Sequence, residues 1–399
     1  MTKELESDER GIFDKLADKI AKVSAIIVGI AVAWTTLYPL SPYLAFWLIW
    51  CIFLYSVIFI FKIYETKGKS KLRLISIIVL IGIGILMGSY QLINYNKAQK
   101  KHNIISEFEV KLRTLRWIAY EPISYDPDKK YYGTEKDITD ELNLLYENEF
   151  NGVITFSSKG LLSRIPQIAK RIGFQGVIMG IIELTDDDEI NAAIKASPYV
   201  DAYCVGHMFT DRPYTERDVH RAIQLICKMT NLPVSTTLRP NGYKAYTKIA
   251  EAIDWFFPDV HCDWYTEVNA DKLLNQTKLH IKEISELQNL YPNKPILLKM
   301  ISCPSDEVYN ASPKEQYYFF RKVVKYVKST MDFPERVYPS YFSAFDLPWK
   351  TPERGWPHGE RFVGLFDKDK KAKRAVIEGK SIRVIDAFPW TRAEKFLKK

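Results

Sequence analysis

The chain has 399 residues with a formal net charge of +8, 14% aromatic and 26% charged residues, which is enough for one large domain and a smaller unit. Its positive charge gathers around apolar N-terminal runs and the C-terminal tail, not on an interleaved basic and aromatic surface. This argues against a nucleic-acid partner. Its five cysteines include no Cys-x-x-Cys spacing, so neither a zinc site nor a disulfide framework is implied, and no metal or cofactor is expected.

Residues 1–22 form a basic tail with Lys3, Arg10, Lys15, Lys19 and Lys22. From 23 to 61 almost every residue is apolar, and a second apolar run covers 74–93. At ~20 residues per bilayer crossing the first run holds two helices and the second holds one. Tyr38-Pro39-Leu40-Ser41-Pro42 supplies the reversal, because proline cannot continue a helix. The first run is too long for a signal-peptide core and lacks a cleavage site. The expectation is an anchor over 23–95 with transmembrane helices at 23–40, 43–63 and 74–93. The basic tail and the basic loop from Lys62 to Arg73 then face the cytoplasm. Three crossings place the rest of the chain outside it, in the periplasm or at the cell surface.

A linker over 96–112 is expected to lead into a domain over 113–375, followed by a C-terminal extension over 376–399. Short apolar runs at 115–120, 152–156, 176–182, 200–205, 233–237, 257–264, 295–301 and 337–345 read as eight strands. Between them lie segments with helical spacing, such as Ile138, Leu142 and Leu145, or Val219, Ile223 and Ile226, or Leu279, Ile284 and Leu287. Thr134 ahead of Asp137 has the form of a capping box. Apolar strands alternating with helices predict an α/β fold, specifically a (β/α)8 TIM barrel C-terminal to three transmembrane helices.

In such a barrel the strand C-termini carry the site. They supply Tyr120 and Glu121, Phe156 and Ser157, Glu183, His207 and Met208, Leu238 and Arg239, Asp263 and Trp264, Met300 and Ser302, and Asp346 and Trp349. Aromatic faces beside hydrogen-bonding groups suit sugar rings.

At these strand ends the chain resembles glycoside hydrolase family 17, the β-1,3-glucanases and glucan transglycosylases. Val205-Gly206-His207-Met208 is similar to that family's Val-Gly-Asn-Glu, and Met300-Ile301-Ser302-Cys303-Pro304-Ser305 to its Glu-Thr-Gly-Trp-Pro-Ser. Phe345-Asp346-Leu347-Pro348-Trp349-Lys350 is similar to Phe-Asp-Glu-Pro-Trp-Lys, and Glu360-Arg361-Phe362-Val363-Gly364-Leu365-Phe366 to the family's closing segment. The resemblance implies that Met208 stands in place of the general acid, Met300 in place of the nucleophile and Leu347 in place of a third acid. Retaining glycosidases need a carboxylic acid and a carboxylate ~5 Å apart. Methionine supplies neither.

Three readings stay open. The first is a catalytically deficient carbohydrate-binding or scaffolding protein, with a β-glucan as one candidate glycan, beside membrane proteins that synthesise or export a polysaccharide. Here Tyr120, Glu121, Trp264, Tyr265, Asp346, Trp349, Lys350 and Glu360 would bind the sugar. The second is an active glycoside hydrolase or transglycosylase with relocated chemistry, for which His207, Asp263, Asp346 and Glu360 are candidates, as are Glu121 and Glu183. The third is a purely structural membrane subunit with a filled mouth.

Overall fold

The computed structural model describes residues 70–206, 214–262, 269–305, 312–329 and 336–377. Residues 1–102 and 103–399 form two compact units. The expected spans at 23–40 and 43–63 lie outside the described residues. The span at 74–93 falls within helix α1 (Ser70–Thr114), mostly on residues whose side chains are outside the description. Among the described residues no helix is long and apolar enough to cross a membrane. The stretch 96–112, expected as a linker, is helical, and α1 belongs to the second unit from Asn103 onward.

Among the described residues the second unit is built on seven parallel strands: β1 (Trp117–Ala119), β2 (Gly152–Ile154), β3 (Gly176–Ile181), β4 (Ala202–Val205), β5 (Val234–Ser235), β6 (Ile296–Ile301) and β7 (Val337–Tyr341), in the order β5-β4-β3-β2-β1-β7-β6. Of the eighth expected strand, at 257–264, the described part (257–262) is not a regular strand. Residues 254–260 are instead an extended segment that joins the two edges of the sheet. Asp254 N donates to Val234 O and Asp259 N to Leu238 O on the β5 side, while Phe256 N donates to Pro295 O and Leu297 N to Phe256 O on the β6 side. Edge groups that would otherwise need water are paired through it.

Helices cover the outer face: α2 (Glu135–Glu147), α3 (Ile165–Ile172), α4 (Asp187–Ala196), α5 (Glu216–Thr230), the short α6 (Pro240–Ala245) and α7 (Thr247–Ala252), α8 (Ala270–Leu290), α9 (Pro313–Ser329) and α10 (Arg374–Ile377). The capping box read at α2 is present: Thr134 Oγ1 accepts from Asp137 N, and the Asp137 carboxylate accepts from Thr134 N. Ile138, Leu142 and Leu145 form the buried face of α2, as their spacing predicts, and Val219, Ile223 and Ile226 do the same on α5. On α8 the buried face differs from the expected one at Leu279. Leu279 is exposed, and Leu273, Thr277, Ile281, Ile284 and Leu287 are buried. Leu279 lies two residues from both Thr277 and Ile281, which puts it on the opposite side of a 3.6-residue helix.

Two apolar layers result. One lies between the sheet and the helices; the other fills the barrel with Trp117, Ile154, Ile178, Ala202, Cys204, Trp255, Phe257, Leu297 and Tyr338. Phe108, Leu112 and Leu115 join this inner layer from the end of α1, and the Phe108 ring meets Trp255 edge-on at 5.3 Å. Trp117 fits because its neighbours are glycines: a Cβ on Gly152 would fall 2.7 Å from its ring. Glu109, at the same end, holds the Arg336 guanidinium through two hydrogen bonds and accepts from Tyr338 Oη at 3.1 Å. Apolar filling and charge pairing close the N-terminal end of the barrel.

Candidate functional site

Side chains alternate along a strand, so the inward residues of the inner layer predict which side chains reach the mouth. Trp255 and Phe257 face inward, and two and four residues later stand Asp259 and His261. Leu297 faces inward on β6, followed by Lys299. Lys299 Nζ is 3.2 Å from Asp259 Oδ2 and 5.7 Å from the Phe156 ring centroid, and both members of the pair are buried. His261 N donates to Asp259 Oδ1 at 2.9 Å.

A second set arrives from loops. Glu121 follows β1, Lys350 follows β7, and Glu360 lies in a 3-10 turn (His358–Phe362). Lys350 Nζ is 3.4 Å from Glu121 Oε2 and 3.9 Å from Glu360 Oε2, and Glu360 Oε1 is 3.7 Å from His261 Nδ1. The groups therefore form one chain across the mouth: Glu121, Lys350, Glu360, His261, Asp259, Lys299. Three aromatic rings surround the Lys350 ammonium, with centroids at 4.8 Å for Trp356, 5.2 Å for Phe342 and 5.4 Å for Trp349. These distances are in the range of favourable cation–π contact. Burial holds the His261 imidazole below its ordinary pKa despite the pull of Glu360 and Asp259, so it stands neutral at physiological pH.

Glu360 Oε2 and the Trp349 indole nitrogen are buried without a hydrogen-bond partner among the described residues. Leaving such atoms unpaired costs about 1–3 kcal/mol each.

The structure brings Glu121, Lys350, Glu360 and Trp349 together and gives Tyr120 and Asp346 other partners. Tyr120 does not line the mouth. It lies two residues beyond the outward-facing Ile118, and its hydroxyl donates to Glu141 Oε2 at 2.9 Å beneath α2. Asp346 is engaged within the chain. Its Oδ1 accepts from Lys373 Nζ at 2.6 Å and from Gly364 N at 3.0 Å, and Lys373 Nζ also donates to Ser305 Oγ. Gly364 has no Cβ because one would collide with the Asp346 backbone. Asp346 thus fastens the loop after β7 to the closing segment. Trp349 is buried, edge-on to Tyr125 at 5.5 Å and to Trp356 at 5.3 Å, so it walls the mouth and offers no open stacking face. Glu183 is fixed by Tyr214, whose hydroxyl donates to its Oε2.

His207, Met208, Asp263, Trp264 and Tyr265 lie outside the described residues, and Met300 lies on β6 with its side chain outside the description. Sequence reasoning missed Asp259, His261, Lys299, Phe342 and Trp356. For Asp259, His261 and Lys299 the signal was there, as polar residues at alternate positions of apolar runs. Trp356 lies in an irregular loop and carries no periodic signal.

No family model matches the sequence, and no curated protein matches it. Among solved structures, an endo-laminarinase from Formosa Hel1_33_131 aligns with a TM-score of 0.54 at 15% identity, covering 68% of this chain and 87% of that one. A β-1,3-glucanase and pollen allergen of Cryptomeria japonica aligns with a TM-score of 0.49 at 15% identity, over 65% of this chain and 97% of that one. At this identity the first likeness establishes a glycoside hydrolase-like fold, parallel-stranded and α/β, and nothing about chemistry.

Proposed function

We propose that the chain is a membrane-anchored, extracytoplasmic protein that binds a glycan through the C-terminal end of a glycosidase-like barrel and does not hydrolyse it by the mechanism of glycoside hydrolase family 17. The observation that carries this reading is the pair of buried polar atoms, Glu360 Oε2 and the Trp349 indole N–H, set among Lys350, Phe342 and Trp356. An acceptor and a donor beside aromatic walls match the hydroxyls and C–H faces of a sugar. The deficiency in catalysis is inferred from the resemblance that puts Met208 and Met300 at the acid and nucleophile positions. The apolar runs and the basic flanks before residue 96 support the anchor and its orientation. A role beside membrane proteins that make or export a polysaccharide fits this arrangement.

The test is a glycan array with the purified full-length protein, paired with turnover assays on each ligand that binds. Binding without turnover supports the reading; absence of binding to every glycan rejects it.

One observation favours a second reading, relocated chemistry. Glu121 and Glu360 contact the same Lys350 ammonium at 3.4 and 3.9 Å. Their nearest oxygens therefore lie within about 7 Å of each other, a separation that spans the retaining and part of the inverting range of glycosidases. Turnover abolished by Glu121→Gln and by Glu360→Gln would select this reading over the first.

A further inference from the structure

We infer that the glycan taken by this mouth carries a free amino group, as in a de-N-acetylated hexosamine chain. The inference rests on the glycan-binding reading and names the sugar chemistry for that same site.

The argument is one of charge balance in a buried place. Glu121 and Glu360 have side chains 12% and 6% exposed, and they share one cation, Lys350, itself 5% exposed. Asp259 does not alter the sum, because Lys299 pairs with it. Burial holds His261 toward its neutral form, so the imidazole adds no positive charge. Arg239, which also acts on His261, is exposed at the end of β5, where solvent screens it. The described mouth thus holds one carboxylate more than its buried cations match. Glu360 Oε2 is the oxygen left without a hydrogen-bond partner.

An excess charge in a desolvated pocket is costly unless a partner arrives to pair it. A sugar hydroxyl would supply the hydrogen bond but not the charge. An ammonium supplies both, and a charge-assisted hydrogen bond is roughly twice as strong as a neutral one. Trp356, the most exposed of the rings that hold the Lys350 ammonium, offers the kind of face that a second cation favours. An acidic sugar is disfavoured by the same count. The net charge of +8 on the whole chain also argues against a merely non-specific attraction of cationic glycans.

The experiment is titration calorimetry on the full-length protein at physiological salt, with four probes: the tetramer of glucosamine, its fully N-acetylated form, laminaritetraose and tetralysine. The expected result is at least tenfold tighter binding of the glucosamine tetramer than of either neutral sugar, with tetralysine no better than the neutral sugars. Glu360→Gln, which keeps shape and removes charge, is expected to erase that preference while far-ultraviolet circular dichroism stays unchanged. Equal binding of the amino and neutral sugars overturns this inference and leaves the glycan-binding reading intact. So does a preference that survives Glu360→Gln, or binding of tetralysine as tight as that of the amino sugar. Failure of all three sugars to bind rejects both.

Discussion

Lys299 and Asp259 form an ion pair inside the barrel, with Nζ 3.2 Å from Oδ2 and side chains 1% and 7% exposed. Such a pair contributes little net stability, because desolvation offsets attraction, but removing one partner strands a buried charge. Lys299→Met alone is expected to destabilise the protein by about 3–5 kcal/mol, and adding Asp259→Leu to recover most of that loss. Urea denaturation of the two variants checks it; equal stability of the single and double variants would show that the pair is not coupled.

Asp346 gives a pH signature. Burial pushes its carboxyl up to about 6 from the ordinary 3.8, while Lys373 at 2.6 Å pulls the other way and does not win. A folded-state pKa above the unfolded one means that the native state binds the proton more tightly. The stabilisation is therefore complete below about pH 4 and is lost as pH rises to about 6, amounting to up to about 3 kcal/mol. The melting temperature of the wild type is expected to fall relative to that of Asp346→Asn across this window and to run parallel above it.

Phe108 closes the lower end of the barrel against Trp255 and Trp117. Phe108→Ala is expected to cost about 3–5 kcal/mol, as for other buried phenylalanines. The Glu109 and Arg336 pair remains in that variant to hold α1 in register. A loss below about 1 kcal/mol, measured by thermal denaturation, would mean that the helix end does not pack as a plug in solution.

Purified protein is expected not to hydrolyse linear β-1,3-glucan. Loss of a nucleophile or an acid removes many powers of ten in rate. Reducing-sugar release at a rate that Glu121→Gln and Glu360→Gln both abolish would contradict this.

Topology is testable at Tyr131, an exposed residue of the loop before α2. With the anchor oriented as proposed, Tyr131→Cys in intact cells is expected to react with a membrane-impermeant maleimide. Protection until the membrane is permeabilised would reverse the orientation.

The sequence by itself determined what depends on local pattern. Apolar runs separated by helical spacing predict the parallel α/β architecture, Thr134 and Asp137 predict the cap of α2, the ends of the runs point to Glu121 and Trp349, and the family resemblance adds Lys350. These are near-neighbour effects, written in the order of residues along one element. Only the tertiary structure decided which of the candidate groups meet. Tyr120 and Glu121 are adjacent, yet strand alternation turns one beneath α2 toward Glu141 and the other into the mouth toward Lys350. Asp346 and Glu360 both follow β7, yet Gly364 and Lys373 return to bind the first, while the turn at His358–Phe362 delivers the second to His261. Glu121, His261 and Lys350 are separated by many tens of residues. The chain of contacts that links them through Glu360 follows from closure of the sheet through residues 254–260 and from the packing of the long loop after β7, and no local propensity encodes it. The pairing of charges among the described residues of the mouth is therefore a property of the folded barrel alone.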